Sequence, residues 1–557
     1  MKRFFIYTLI CSLTALMGCD KNDEVMNDLA TTNGKKVTVT ANIQGDAATR
    51  VTLTQNDADP TKPFVKVDWK ASGETFEAYA DGAAEPIIFT QIDGTNRFEG
   101  TLNGTAPYTL YYGAKDYDLS TQDGTLNEAY VLMQATATDF STTIDFEHKT
   151  AILKPTFIKV DDAVLANNTI TQIVVEGIKK PSAETESGSI TVMPESPLGD
   201  IYIFLPAFES YTADHTFTFI VTAGGQDYLA TLTIPNGKSI EAGKFYTAAI
   251  TIAAIPYLTF TAQEAQTFTM NEYDYSLPKT LQYSVGGSAW TQLNAGDEIS
   301  FDEDHPLRLR GNSPTGTAQD DGHLSYIVFG DNSTPVACTG DIRTLVDWKD
   351  YENANTNNAR FSGLFMKCRA LTTAPALPAT TLADNCYAGM FLGCTSLATA
   401  PALPATTLAN YCYSYMFQNC TSLTAAPVLP ATTLKNYCYY QMFRGCTSLA
   451  TAPALPATTL ASRCYFQMFY GCTSLATAPV LPATTLASWC YYEMFRDCTS
   501  LNSITMLATD ISASDCLYEW VSGVATTGTF YKNSDATWDN DGVVPSGWTV
   551  QNYSVTP

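Results

Sequence analysis

Residues 394–419 read CTSLATAPALPATTLANYCYSYMFQN, and Cys420 begins the same line again. Copies run from Phe361 to Leu507. The 26-residue period is kept by Cys368, Cys394, Cys420, Cys446, Cys472 and Cys498, and by Cys386, Cys412, Cys438, Cys464, Cys490 and Cys516. Leu371, Leu397, Leu423, Leu449, Leu475 and Leu501 keep it too, as do Phe391, Phe417, Phe443, Phe469 and Phe495. A fixed period between 20 and 50 residues marks a solenoid, in which each repeat buries its apolar face only against its neighbours. Within one repeat, Pro401 and Pro404 exclude a helix interior, so Leu397–Leu408 is expected to be extended with at most a short strand. Cys412–Phe417 lacks Gly and Pro and spaces its apolar residues three to five apart, which predicts one or two helical turns. At about 4.8 Å per rung, five full turns make a rod roughly 25 Å long that needs caps at both ends.

Strand, corner, short helix, corner is the outline of a leucine-rich-repeat turn. The motif M-F-x-G-C-T-S-L at Met390–Leu397, Met442–Leu449 and Met468–Leu475 resembles the BspA-like leucine-rich repeats of bacterial surface proteins. The variants M-F-Q-N-C-T-S-L and M-F-R-D-C-T-S-L stand in two other copies. The resemblance covers residues 361–516 and implies a cell-surface adhesion or protein-binding molecule. The turn is longer than in the commonest version, and cysteine stands where an aliphatic residue is usual.

The twelve repeat cysteines form either six disulfides or two thiol ladders. An even count in an exported protein favours bridges. Equivalent side chains on stacked turns, however, run parallel at the rung spacing, beyond the ~3.8 Å Cβ separation of a bridge. Cysteine is also a frequently buried small hydrophobe, so ladders are the favoured reading and both stay open. No C-x-x-C pair or histidine in the array suggests a metal site.

The chain of 557 residues carries a net charge of −25 with 31 basic residues, which argues against nucleic acid and anionic membrane surfaces as partners. Lys2 and Arg3, the apolar run Phe4–Met17 and Gly18-Cys19 read as a targeting segment too short to span a membrane. Leu16-Met17-Gly18-Cys19 resembles a bacterial lipobox, which implies cleavage before Cys19 and lipidation of its thiol. An ordinary secretory peptide is the alternative. Asp20-Lys21-Asn22-Asp23-Glu24 and the polar residues after it read as a flexible tether, and the acidic run resembles surface-export signals of some Gram-negative bacteria.

Period-two alternation predicts strands from Lys36 to about Ile255, among them Val37–Ile43, Phe64–Trp69, Ile201–Leu205, Thr216–Val221 and Tyr228–Ile234. Many short strands argue tandem β-sandwiches meeting near 150–165. Thr49–Leu53, Val67–Trp69, His148–Lys154 and Ala242–Thr251, in that order, resemble the fimbrillin family, pilin-like lipoproteins of anaerobic bacteria. That resemblance implies a pilus subunit, a pilus accessory protein or a surface lipoprotein of the same fold. Arg50 lies where such a subunit is processed, although a surface arginine at a strand start explains it as well.

The expected organisation is a leader at 1–18, a tether at 19–36, a fimbrillin-like tandem β-sandwich at 37–255, a β cap at 256–345, a leucine-rich-repeat solenoid at 346–507 and a C-terminal cap at 508–557. The fold class is mostly β and multidomain, with tandem β-sandwiches followed by a solenoid with short helices. Asp297, Glu298, Asp302, Glu303 and Asp304 read as a solvated acidic edge rather than a calcium patch, and Asp539–Gly542 as a turn.

His148, His215, His305 and His323 stand singly, and no nucleophile elbow, phosphate loop or dinucleotide motif occurs. The sequence therefore predicts no catalytic residue, metal or cofactor. Two functions are expected: a lipid-anchored outer-membrane adhesin binding extracellular protein or glycan, or a tip or accessory component of a pilus with pilus subunits as partners. Positions that vary between repeats must face solvent. They hold Tyr411, Tyr415, Tyr437, Tyr440, Arg444, Arg463, Phe466, Tyr470, Trp489, Tyr492 and Arg496, residue types enriched at binding hot spots. These are the predicted ligand-binding residues, on the short-helix side of the rod; stacking between turns is the competing explanation.

Overall fold

The computed structural model describes residues 75–91, 97–102, 106–112, 119–125, 133–137, 143–180, 183–194, 200–206, 213–240 and 245–553, with strand backbone at Leu9–Ser12, Lys35–Thr40, Asn42–Ile43, Thr54–Asn56 and Phe64–Lys66. Cys19, the acidic run after it and Arg50 lie outside the described residues. The chain forms two compact units, Met1–Ile255 and Pro256–Pro557. Both are β-rich, and among the described residues the only helical pieces are short 3-10 turns such as Asn167–Thr169 and Ile342–Leu345.

In the first unit, the seven strands from Thr150 onward together with Thr121–Gln122 build an eight-stranded sheet, whereas the others up to His148, apart from the pair Thr54–Asn56 and Phe64–Lys66, build a nine-stranded one. The predicted strands appear at Ile203–Pro206, His215–Ala223 and Gln226–Ile234. Period two is followed over most of His215–Ala223: Phe217, Phe219, Val221 and Ala223 are buried and Thr216 faces solvent, with Ile220 buried as well. Phe157 and Phe219 meet edge-on at 6.2 Å, and Phe76 stacks on Phe89 at 4.7 Å, within one continuous core.

The second unit begins with two facing sheets. Leu258–Ala262 lies between Leu307–Arg310 and Val336–Thr339, and Gln266–Tyr273 lies between Ile299–Phe301 and Leu324–Phe329. Phe260 packs against Phe268, Phe301 and Phe329 and also against Phe365, the first ring of the array's phenylalanine column. Leu371–Thr373 adds to the first sheet in parallel beside Val336–Thr339. The array therefore shares its core with the sheets that precede it.

Each repeat stacks on the next, but its second half is not the expected short helix. Cys412–Cys420 is a row of overlapping turns. The N–H groups of Ser414, Met416, Gln418 and Cys420 donate three residues back, to Tyr411, Tyr413, Tyr415 and Phe417. Those of Tyr413, Tyr415, Phe417 and Asn419 donate instead to Cys438, Tyr440, Met442 and Arg444 of the following repeat, at 2.8–3.0 Å. Every second amide thus closes a turn and every other one joins two repeats, which leaves none for an i→i−4 helix ladder. The proline-bounded half is extended; its backbone meets its neighbours through isolated bridges such as Thr381↔Thr407 and Thr433↔Thr459, and its leucines pack into the common core.

The row has a four-residue rhythm. Cys412, Tyr413, Met416, Phe417 and Cys420 are buried, as is the small Ser414, while Tyr415, Gln418 and Asn419 between them reach the surface. Stacking turns these positions into columns. Phe365, Phe391, Phe417, Phe443, Phe469 and Phe495 stack 5.4–5.7 Å apart, and Tyr387, Tyr413, Tyr439, Tyr465 and Tyr491 stack 5.7–6.0 Å apart. Each contact is worth about 0.5–1.5 kcal/mol beyond the area it buries. The repeat cysteines are free thiols, all buried. Sγ of Cys394, Cys420, Cys446, Cys472 and Cys498 donates to the carbonyl of a phenylalanine in the preceding turn, Phe365 to Phe469, at 3.0–3.1 Å. The ladder arrangement is the one the structure contains.

At the far end, Ser503–Met506, Thr529–Asn533 and Thr549–Tyr553 form a parallel sheet. Trp520 takes the place of the column methionine and donates Nε1–H to Val543 O at 2.9 Å; Trp538 and Trp548 donate likewise to Ala508 and Ala525. These large rings close the core where the repeats stop.

The buried thiols give the array a pH limit. Burial pushes Cys420, Cys438 and Cys498 from the usual value near 9 up to about 12. In the unfolded chain thiols ionise above about pH 8.5, so from there upward the folded state holds more protons and stability falls as pH rises. Each thiol contributes up to about 1.4 kcal/mol per pH unit, and they act together. Cooperative unfolding, followed by near-ultraviolet circular dichroism, is expected between pH 9 and 12, with no thiol reacting with alkylating reagent beforehand. Stability unchanged across that window, or disulfide-linked peptides in a non-reducing map, contradicts the ladder.

Candidate binding face

The outward positions of the turn row gather all eleven predicted ligand-binding residues on one side of the array. All eleven are half-buried. They stand on turns rather than on the expected short helices, and this sets their backbone. Tyr411, Tyr437, Arg463 and Trp489 occupy the same place in successive repeats and have φ of 56°, 58°, 56° and 63°. Tyr415 has φ of 58°. The left-handed region costs a residue with a Cβ roughly 1–2 kcal/mol and is tolerated best by Gly and Asn. Asn385 does stand at this place one repeat before Tyr411, with φ of 59°. Bulky side chains held there must return something in contacts.

The contacts are continuous. Tyr411 stacks on Tyr437 at 4.4 Å. Tyr440, Phe466 and Tyr492 form a second stack with spacings of 4.8 and 4.5 Å, and Tyr415 meets Tyr440 edge-on at 5.2 Å. Trp489 lies against Tyr492 at 5.1 Å. The Arg463 guanidinium sits between the rings of Tyr437 and Trp489, at 5.3 and 4.7 Å, and donates to the Tyr437 hydroxyl at 2.6 Å. Arg444 lies over Tyr470 at 4.7 Å and donates to the side-chain oxygens of Gln441 and Gln467 at 3.2 and 3.3 Å. Cation–π contacts of this kind contribute about 0.5–1 kcal/mol each when exposed.

Arg496 differs from the other two arginines. Its guanidinium pairs with Glu493 at 2.8 Å and with Glu519, so its charge is already matched inside the protein. It belongs to the lower support of the face.

Two features escaped the sequence reading. Tyr518 extends the second stack, 4.8 Å beyond Tyr492, and is exposed. It lies 26 residues after Tyr492, so the period itself pointed to it once Cys516 had been counted as a rung. The second feature is a polar column beside the rings: Gln418 donates to Gln441 at 3.0 Å, Gln441 to Gln467 at 2.7 Å, and Gln467 to Glu493. It ties the outer side chains of four successive repeats together.

Inner rings of a stack at 4.4–4.8 Å have both faces covered by their neighbours. What remains for a ligand is ring edges and guanidinium N–H groups. Ring edges carry the positive end of the aromatic quadrupole, so the face as a whole favours oxygen acceptors.

Elsewhere, Asp297 accepts from Asn294 and Asp302 from His305, at 2.8 and 2.6 Å, so both carboxylates are engaged locally. No group of three or more His, Cys, Asp or Glu among the described residues is placed to hold a metal ion.

The strained positions can be relieved without breaking the row. Replacing Arg463 and Trp489 together by Asn, the residue present at Asn385, should offset lost stacking with lower backbone strain. The expected shift in melting temperature is within about 3 °C. A fall several times larger would assign these side chains a purely structural role.

No family model matches the chain, and no curated protein matches it. Among solved structures, it is similar to a candidate cell adhesion protein of Bacteroides fragilis, with 10% identity, a TM-score of 0.21, and coverage of 40% of this chain and 89% of the other. It is also similar to a streptococcal ancillary pilin, with 10% identity, a TM-score of 0.16, and coverage of 46% and 88%. Scores this low carry no argument about fold or role.

Proposed function

We propose that this chain is a surface lipoprotein adhesin, anchored through Cys19 in the outer membrane, and that the face running from Tyr411 to Tyr518 binds an extracellular protein or glycan. The array is read as a leucine-rich-repeat solenoid of the BspA-like kind, carried on fimbrillin-like β-domains. No catalytic role is proposed. The observation that carries the reading is the clamped Arg463: a cation held between Tyr437 and Trp489, with one hydroxyl as its bonded partner, on backbone that disfavours any large side chain. Pre-ordered arginine and aromatic side chains lose little entropy on binding, which is the property of hot-spot residues.

The test uses cells displaying the full chain. Wild-type cells should adhere to host or bacterial surfaces, and the Arg463→Asn, Trp489→Asn variant should lose most adhesion, about tenfold or more, while remaining folded. Cys19→Ser should release the protein or leave unprocessed precursor, seen as lost antibody labelling of intact cells. Adhesion that survives the double change places the ligand elsewhere; surface labelling that survives Cys19→Ser without a lipid on the protein removes the anchor.

A further inference from the structure

We infer that the ligand of this face is an acidic polysaccharide, a chain bearing sulfate or carboxylate groups. The inference rests on the adhesin reading above and specifies its partner.

Charge is the first ground. The chain has a net charge of −25, yet residues 385–492 contain Lys435, Arg444 and Arg463 and not one Asp or Glu. The acids resume only at Glu493 and Asp497, where Arg496 meets them. The middle repeats are thus a cationic window in an acidic protein, bordered by Asp321 near Tyr411 and Tyr415 at one end and by Glu493, Asp515 and Glu519 near Tyr492 at the other. Both arginines of the window bond to neutral oxygens, Arg444 to the amides of Gln441 and Gln467 and Arg463 to the Tyr437 hydroxyl. Neither is matched by a carboxylate in those contacts, in contrast to Arg496. Lys435 is exposed two residues before Tyr437, on the rim of the same face. With a screening length of about 8 Å at physiological salt, an approaching anion senses this local sign more than the distant net charge.

Surface chemistry is the second ground. A neutral sugar stacks on the open face of an aromatic ring, and here the inner ring faces are occupied by one another at 4.4–4.8 Å. What the rings leave to a ligand is their edges and the guanidinium N–H groups, while hydroxyls are bonded in pairs, Tyr411 with Tyr437 and Tyr415 with Tyr440; edges and guanidinium both suit oxygen-rich anions.

Spacing is the third ground. The outer ring stacks recur once per rung, 4.4–4.8 Å apart, while the arginines stand beside them in only some rungs. One pyranose unit of an extended polysaccharide advances by about that distance. An extended peptide advances about 3.3 Å per residue and drifts out of register within two rungs. A polysaccharide lying along the axis therefore sets one sugar unit against each repeat, with its acidic groups recurring at whole-unit steps, and an acidic peptide keeps no such register.

The experiment measures binding of the full chain to four immobilised probes: heparin, hyaluronan, dextran and poly-glutamate. Binding to heparin or hyaluronan is expected, with affinity falling steeply as salt rises, and the stronger of the two identifies sulfate or carboxylate as the group read. Dextran should bind at least about tenfold more weakly. The Lys435→Gln, Arg444→Gln, Arg463→Gln variant should lose about tenfold or more in affinity and flatten the salt dependence. Arg444→Lys with Arg463→Lys, which keeps the charge, should retain more of the binding than the glutamine variant. Equal binding to dextran, tighter binding to poly-glutamate, or a glutamine variant that binds as wild type overturns the inference. Cell adhesion that persists while neither acidic polysaccharide binds overturns the ligand assignment alone. A wild-type chain that adheres to no cells and binds no probe overturns the adhesin reading with it.

Discussion

The alternation of amide hydrogen bonds along each turn row is the constraint on which the rest of the array depends. One N–H closes a turn within the repeat and the next reaches the following repeat, from Tyr387 through to Asp497. Because the inter-repeat bonds hold neighbouring rows at bonding distance, side chains at equivalent positions are forced to stack. The phenylalanine and tyrosine columns inside and the ring stacks outside follow from that single spacing. So do the free cysteines: a small side chain with a weak donor fits beside a carbonyl already used by one turn bond, as Cys446 does at Phe417.

The same constraint separates core from face. Pairs of core residues alternating with pairs that reach toward the surface, some of them polar and still covered such as Ser414 and Gln441, give each rung a fixed inner set and a variable outer set. The inner set barely changes: Cys, Tyr, Met, Phe and Cys recur in every central repeat. The outer set changes from Tyr411 to Tyr437, Arg463 and Trp489 at one position, although all four accept the same unfavourable backbone. Variation under a shared strain is what a recognition surface on a rigid scaffold requires. The sheets before the array and the tryptophans after it then serve one physical need, covering the two ends of the columns.

Much of this was legible in the residues. The period located every rung, the prolines excluded a helix from one half, and comparison of repeats found the outer set. The short helix was the misreading, with a clear cause. Cys412, Tyr413, Met416, Phe417 and Cys420 fall at i, i+1, i+4, i+5 and i+8, which imitates the i, i+3, i+4, i+7 and i+8 stripe of an amphipathic helix. Left-handed backbone every fourth residue would have distinguished the two, but Tyr, Arg and Trp do not announce it as Gly or Asn would, and Gly389, Gly393 and Asn419 mark only some of the places. Stacking of these rings between turns was the competing expectation and is what the structure contains; how closely the ring faces cover one another depends on the rise per repeat, which the residues do not fix. Tyr518 was within reach of the period and was lost because the proline-bounded half decays after Leu501 while the turn row continues.

The central claim is that one 26-residue register builds both the core columns and the face, and removal of a whole rung tests it most directly. A chain lacking residues 438–463 joins Tyr437 to Cys464 and leaves every column in register. A chain lacking 438–459 is misaligned by four residues, which a helical or loosely packed row would absorb. The account predicts that the first unfolds cooperatively with a melting temperature near that of the full chain, and that the second loses the cooperative transition of the array. Equal tolerance of both deletions, or collapse of the first, would contradict it.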